Sequence, residues 1–511
     1  IVYLPLKNKN YRTLNIYITM KKIIFSILLC SVFYMNAQQK SLLESQDFWK
    51  SKPTLQQVKA EVDKGFDFKN VGFDDPILKA ILEKADSDII NYLINLPSVD
   101  LEKKLFHDRT YLHFATNEGL TNIVANLIKK GSNINALDDK GFTPLVFASL
   151  GGKLTPEIVD IFAKNGIDLT QKYKSFGNAN LLLLAIGHDK GLKITDYLIK
   201  KGLTLNSKDD EGRGVFYYAS LVGNNLDNLK ELVKRGVKYD NSALLAVAQG
   251  AHKVTNGLAV YQYLIDTLKL NPKITSPEGE TLLHFVAKKA NQDDVITYLI
   301  AKGVDAKKAD KFGNTPFLLA CSGKSVNAVR YLLPFVENIN EANRDGETAI
   351  INAVKYSNAD VVEYLINNGA SLNATNKKGN NLVYLLIEAY HPRKNGKEFD
   401  GKLKLLQKKG IDFSKKLADG SSIYHLIATK NDLELFKKVE NINVDINAKN
   451  NDGLTALHKA ILVAKDDTIL KYLISRGADK TIKTDLDETA YDLAKDNEML
   501  RKNNINIDFL K

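Results

Sequence analysis

Eight histidines are the first place to look for acid–base or metal chemistry in these 511 residues. Four of them, His113, His284, His425 and His458, occupy one slot of a repeating pattern, which marks them as scaffold rather than catalyst. The other four are scattered, with no H-x-x-x-H pair and no cysteine cluster to complete a metal site. Cys321 stands where a small apolar residue is expected, and Ser149, Ser220 and Ser322 read equally well as small packing residues. There is no G-x-S-x-G elbow and no Walker-type loop. The paired acids Asp138-Asp139, Asp209-Asp210 and Asp293-Asp294 suit turn tips and helix starts, and none lies in a loop with calcium-ligand spacing. One stretch remains for chemistry: an insertion at residues 390–401, where His391 and Arg393 could serve a ligand-binding or hydrolytic site. Otherwise the residues imply no enzyme, no metal and no cofactor.

The elements that carry these residues are repeats. Ser276–Asn314 holds one complete copy. Thr281 offers an N-cap, a short apolar helix runs to Ala287, and a second carries Ile296, Leu299 and Ile300 on one stripe. Lys302-Gly303 then supplies the cation and the left-handed residue that a helix C-terminus favours. Two helices this short cannot bury their faces alone, so neighbours must stack on them. A register mark recurs at Ala80, Ala115, Ala148, Leu184, Ala219, Ala248, Val286, Ala320, Ala353, Leu386, Ile427, Ala460 and Ala494, with spacings clustered near 33–34. The second helix repeats apolar residues seven, four and three before its terminal Gly. Gly fills that slot at 65, 131, 166, 202, 236, 303, 369, 410 and 477; Asn443 is expected to take it once in a left-handed conformation, and Val336 breaks the rule. Paired lysines before the Gly, such as Lys200-Lys201 and Lys408-Lys409, read as solvated helix ends matched to the dipole.

Asp310-Lys-Phe-Gly-Asn-Thr-Pro-Phe-Leu-Leu-Ala320, Asp452-Gly-Leu-Thr-Ala-Leu-His-Lys-Ala460, Gly369-Ala-Ser-Leu-Asn-Ala374 and Gly477-Ala-Asp479 resemble the D-x-x-G-x-T-P-L-H-x-A … G-A-D-V-N-A pattern of ankyrin repeats. The resemblance covers about residues 75–500. It implies an all-α solenoid of about 13 stacked helix-turn-helix units with short hairpin-like turn tips. It also implies that the recurrent histidine bonds backbone near the turn. Residues 38–74, with Trp49 as a packing residue, are expected to cap the array, and 501–511 to form a polar tail. The unit from Asn241 to Asn271 is degenerate.

Ankyrin arrays work by recognition, so the resemblance implies a protein partner gripped by turn tips and a concave first-helix face. By position, the candidate contacts are Asn117, Glu118, Lys288, Lys289, Lys355, Tyr356 and Lys430 after the register marks, with Glu388, Ala389 and Thr429 beside them. Phe176, Phe312 and Arg344 are the tip anchors. The mildly basic middle hints at an acidic patch on the partner. A narrower alternative is a dedicated immunity or protective partner of one specific protein.

Met20-Lys21-Lys22, the apolar run Ile23–Phe33 and Ala37 form a secretory signal peptide pattern, with Met20 the expected start and residues 1–19 an upstream extension. Export to periplasm or medium is therefore expected. Loss of residues 1–37 removes five cations and no acid, lowering the net charge from +11 to +6. That is too dilute to argue for nucleic acid. It also leaves Cys321 alone, so stability must come from packing without an internal disulfide. No apolar run is long enough for a transmembrane helix in the mature chain.

Overall fold

The computed structural model describes residues 41–511 except 70, 73, 223–225 and 252–254. The expected signal peptide lies outside the described residues. The regular secondary structure is almost wholly helical, and the chain divides into two compact units, one reaching to Val215 and one from Phe216 to Lys511.

Within each unit the helices come in pairs. First helices pack on the first helices of adjoining repeats, and second helices on second helices. Their brevity explains this arrangement: Leu282–Val286 has five residues and Asp293–Ala301 nine, each too short to persist alone in water. All thirteen register marks lie in first helices and are buried, Leu184 being the most exposed at 4%. A small side chain suits this crowded point because close-packed interiors do not yield to added volume.

Helix starts follow from side-chain oxygens. Thr143, Thr155 and Thr315 each accept a backbone N–H and are followed by proline at the first helical position, where no donor is needed. Helix ends follow from glycine: Gly303 has φ +76°, a conformation that an L side chain resists.

Two exceptions have physical causes. Pro334 ends the helix Val326–Leu332 in a 3-10 turn, Leu333–Phe335, after which Val336 is extended (φ −97°), so no left-handed residue is required there. Asn443 does not take the left-handed role expected of it. Helix Leu433–Lys438 stops earlier, at Val439, and Asn443 is not among the residues with positive φ. In the degenerate unit, helix Leu258–Gln262 continues as a π-turn, Tyr263–Thr267, and Lys269 (φ 60°) closes it in place of glycine.

The ends are capped. Trp49 is fully buried, and its indole N–H donates to the Leu43 carbonyl at 2.7 Å. At the other end the segment expected as a tail is packed instead. Glu498–Lys502 is the last second helix, and Leu510, 1% exposed, lies in a 3-10 turn against helix Ala490–Asp496. The insertion at 390–401 is not a free loop either. It becomes the first half of a 17-residue helix, Pro392–Lys408, kinked at Asn395, with Phe399 buried beside Tyr390.

The paired lysines are more than solvated ends. Lys201 reaches Asp160 of the preceding repeat at 2.7 Å, where Tyr197 also donates to the same carboxylate. Lys302 and Tyr298 converge on Asp266 in the same way, and Lys409 bonds Asn367.

Candidate recognition surface

The turn tips are built by Asp and Asn. Asp310 accepts backbone N–H groups from Phe312 and Asn314, both at 2.8 Å; Asn343 accepts from Asp345 and Glu347; Asn376 from Lys378 and Asn380. These are Asx turns, in which a side chain satisfies the backbone of a tight bend. Successive tips then bond through backbone. Lys311 N–H donates to Glu278 O at 2.9 Å, Arg344 N–H to Phe312 O at 3.0 Å, and Lys377 N–H to Asp345 O at 3.2 Å. Glycine permits the contact: a Cβ on Gly346 would stand 2.6 Å from the Lys377 nitrogen. Four tips of the second unit thus form one hydrogen-bonded ladder.

This ladder presents Phe312, 51% exposed, with the Lys311 ammonium 5.3 Å from its ring. Lys311 is paired with Glu278 at 3.0 Å. Arg344, Lys377 and Lys378 are exposed and have no side-chain partner among the described residues. Over residues 276–280, 307–314, 341–347 and 375–380 basic and acidic side chains balance at six each. Arg344, Lys377 and Lys378 thus offer cations at fixed points of a ladder that also exposes the carboxylates of Glu341 and Asp345.

Beneath the tips stand the recurrent histidines, in the role implied for them. Nδ1 of His113, His284, His425 and His458 accepts the backbone N–H of the helix N-cap at 3.0–3.2 Å. Nε2 lies 2.9–3.1 Å from a carbonyl of the adjoining segment, on Phe142, Asn314, Leu454 and Ile482. Because Nδ1 accepts, Nε2 carries the proton and donates, so the ring is neutral. Burial lowers the pKa of all four.

The slots after the register marks divide into two kinds. Tyr356 is 57% exposed, with the Lys355 ammonium 4.9 Å from its ring and 3.2 Å from Glu347; Lys288 is exposed. Lys289 and Lys430 are turned to another purpose. Lys289 donates to Ala248 O and Gln249 O, both at 2.6 Å, and Lys430 to Glu388 O at 3.0 Å. Each caps the preceding repeat's first helix, whose last carbonyls lack intrahelical donors. Burial beside Lys288 pushes the Lys289 pKa down to about 8. Lys402 does the same from the insertion helix, donating to Val354 O, and Asn497 bonds Ile461 O and Ala464 O.

In the unit ending at Val215, Asn117 and Glu118 are half-buried, Glu118 facing Lys84 at 3.4 Å, and Phe176 lies 4.9 Å from Phe142. Sequence reasoning passed over Leu462 and Val463, which occupy the slot after Ala460 and are 54% and 37% exposed. The signal was available: apolar residues stand where other copies carry polar ones.

Cys321 is fully buried and burial raises its pKa, which keeps the thiol protonated. No group of three or more potential metal ligands occurs among the described residues. His391 and Arg393 are exposed at the start of the insertion helix, while Phe399 and Lys402 are committed to packing and capping.

A family model described as "Ankyrin repeats (3 copies)" matches residues 77–173, 245–333 and 283–376, and one described as "Ankyrin repeats (many copies)" matches 439–494. Together they span more than half of the chain. The ankyrin repeat protein FPV022 of fowlpox virus (strain NVSL) is 27% identical over 285 residues, 50% of this chain and 46% of that protein, so this chain spans less than half of its length. An ankyrin repeat protein of Rickettsia bellii (strain RML369-C) is 28% identical over 157 residues, 30% of this chain and 86% of that protein. The crystal structure of the human ASB11 ankyrin repeat domain aligns with 17% identity and a TM-score of 0.36, covering 44% of this chain and 96% of that domain. The two family models and the thirteen-fold register agree, and the chain belongs to the ankyrin-repeat family.

Proposed function

We propose that the chain is an exported, non-enzymatic scaffold that binds a protein partner through the four-tip ladder of its second unit and the adjoining first-helix ends. The observation that carries this reading is the ladder. Backbone bonds hold Phe312 and Arg344 on adjacent tips, and an anchor held by its scaffold loses little entropy on binding. Exposed aromatic and guanidinium groups of this kind serve as interface hot spots, and Tyr356 adds a third anchor. Unpaired Arg344, Lys377 and Lys378 favour a partner with carboxylates at the matching positions. Export rests on the Met20–Ala37 pattern.

The test compares the wild-type chain with a Phe312→Ala/Arg344→Ala/Tyr356→Ala variant as immobilised baits for envelope and culture-medium proteins. One stoichiometric partner retained by wild type and lost by an equally stable variant supports the assignment. Equal retention by both refutes it. N-terminal sequencing of the protein in producing cells should begin at Gln38; an intact Met20 on the cytosolic form refutes export.

A further inference from the structure

We propose that the cleft between the connecting segments 305–309 and 335–344 is a docking pocket for one apolar side chain, carried with an acidic neighbour on an extended segment of the partner. This inference rests on the scaffold reading above and deepens it.

The argument begins from what the repeat omits here. In other copies the residue after the helix-terminal slot turns inward: Ile167, Leu203, Val237, Val304, Ala370 and Ala478 are all 4–8% exposed. The equivalent residue in this copy is Glu337, whose side chain is 83% exposed. Its carboxylate instead reaches out to Lys307 at 2.9 Å, since a charge in this apolar slot would lose its water. Where a scaffold side chain should sit there is a cleft of about 390 Å³.

Phe317 and Leu318, 2% and 4% exposed, line it with Phe335, Val336 and Ile339. Polar Thr315, Asn338 and Asn343 also line the cleft, but on the Phe317–Leu318 side an apolar side chain would restore the packing seen in the other copies, where a polar one would shed water against carbon. The Lys307–Glu337 pair at the rim is solvent-exposed and therefore weak, so it opens at little cost. Arg344 also lines the cleft and is unpaired, which selects for a carboxylate beside the inserted residue. Its backbone N–H joins the Phe312 tip, so pocket and ladder form one continuous surface.

Blocked peptides on the full chain provide the test, read by saturation-transfer NMR. Ac-Gly-Leu-Asp-NH2 should bind at least tenfold more tightly than Ac-Gly-Ser-Asp-NH2. Glu337→Val refills the cleft with the residue found at Val304; it should melt no lower than wild type and bind the leucine peptide at least tenfold more weakly. Ala309→Trp, at the exposed mouth, should do the same. Arg344→Ala should erase a preference for Leu-Asp over Leu-Asn. Equal binding of the leucine and serine peptides, no binding of either, or full binding by folded Glu337→Val would overturn the proposal. None of these outcomes touches partner capture by the tips, so the two readings fail separately.

Discussion

The ammonium of Lys402 reaches across 48 residues of chain to the carbonyl of Val354, 2.6 Å away, with only 2% of the lysine exposed. Val354 lies in the last turn of helix Ala349–Tyr356, so the cation meets the negative end of a helix dipole. The same contact takes a charge out of water, and burial pushes the Lys402 pKa down to about 8.

The sign of its contribution follows. A lysine whose folded pKa lies below the unfolded value of about 10.4 binds its proton more tightly when unfolded. Charged Lys402 therefore costs stability below pH 8, and the cost is relieved as pH rises towards 10.4. Lys402→Met should be more stable than wild type at pH 7, and the gap should narrow by about 3 kcal/mol by pH 10. Paired urea titrations at the two pH values measure this. A pH-independent difference would show that the folded and unfolded pKa values are equal, and would refute the assignment.

The four recurrent histidines share this pH preference, in a lower range. Each is held neutral by accepting a backbone N–H at Nδ1, and each has a folded pKa below the unfolded value of about 6.5. Such groups contribute stability above pH 6.5 that is lost as pH falls, because the unfolded chain then binds more protons. The urea midpoint should fall between pH 7.5 and pH 5. His284→Phe should lower stability by about 1–3 kcal/mol at pH 7.5, since the Thr281 N–H loses its partner and the Asn314 carbonyl keeps only the Asp310 N–H, and should flatten the pH slope. An unchanged slope in this variant would refute the assignment.

Asn497 closes the last first-helix pair, donating to Ile461 O at 2.6 Å and Ala464 O at 3.1 Å. Asn497→Ala removes the amide donor from both carbonyls, leaving Ile461 O only the Ala464 N–H, and also removes the N-cap of helix Glu498–Lys502, which Asn497 supplies to Met499 and Leu500. The expected loss is about 1–3 kcal/mol. Hydrogen exchange should show it as faster opening confined to the C-terminal repeats, because contacts in a repeat array are nearest-neighbour. Uniform loss of protection along the second unit would count against that locality.

How much of this was legible in the chain depends on the reach of each interaction. The Ala and Gly slots and the Thr caps answer to local backbone demands, so their spacing disclosed the fold. Lys289 and Lys430 were read as free contacts because their acceptors lie about 40 residues back, in another helix. Asn443 misled because a tolerance for left-handed backbone is not a requirement for it. For the insertion a signal existed: Phe399, Leu403 and Leu406 fall at helical spacing, extending the second helix backwards into the supposed loop. Glu337 is the instructive case, since a carboxylate in an apolar slot breaks the pattern that defines the fold and marks a place where packing was given up.

The insertion helix separates scaffold from surface within a dozen residues. Phe399 is 1% exposed with its ring 4.8 Å from that of Tyr390, and Glu398 and Asp400 pair with Lys324 and Lys438 at 2.6 and 2.7 Å. His391 and Arg393 are exposed and touch none of these. Phe399→Ala should therefore cost about 3–5 kcal/mol, as removal of a buried ring does. A His391→Ala/Arg393→Ala double variant should melt within about 0.5 kcal/mol of wild type and retain partner capture. Thermal unfolding and bait retention on the same preparations check both halves. Loss of capture by the double variant at unchanged stability would move the binding site to the insertion and revive a ligand-binding role for it.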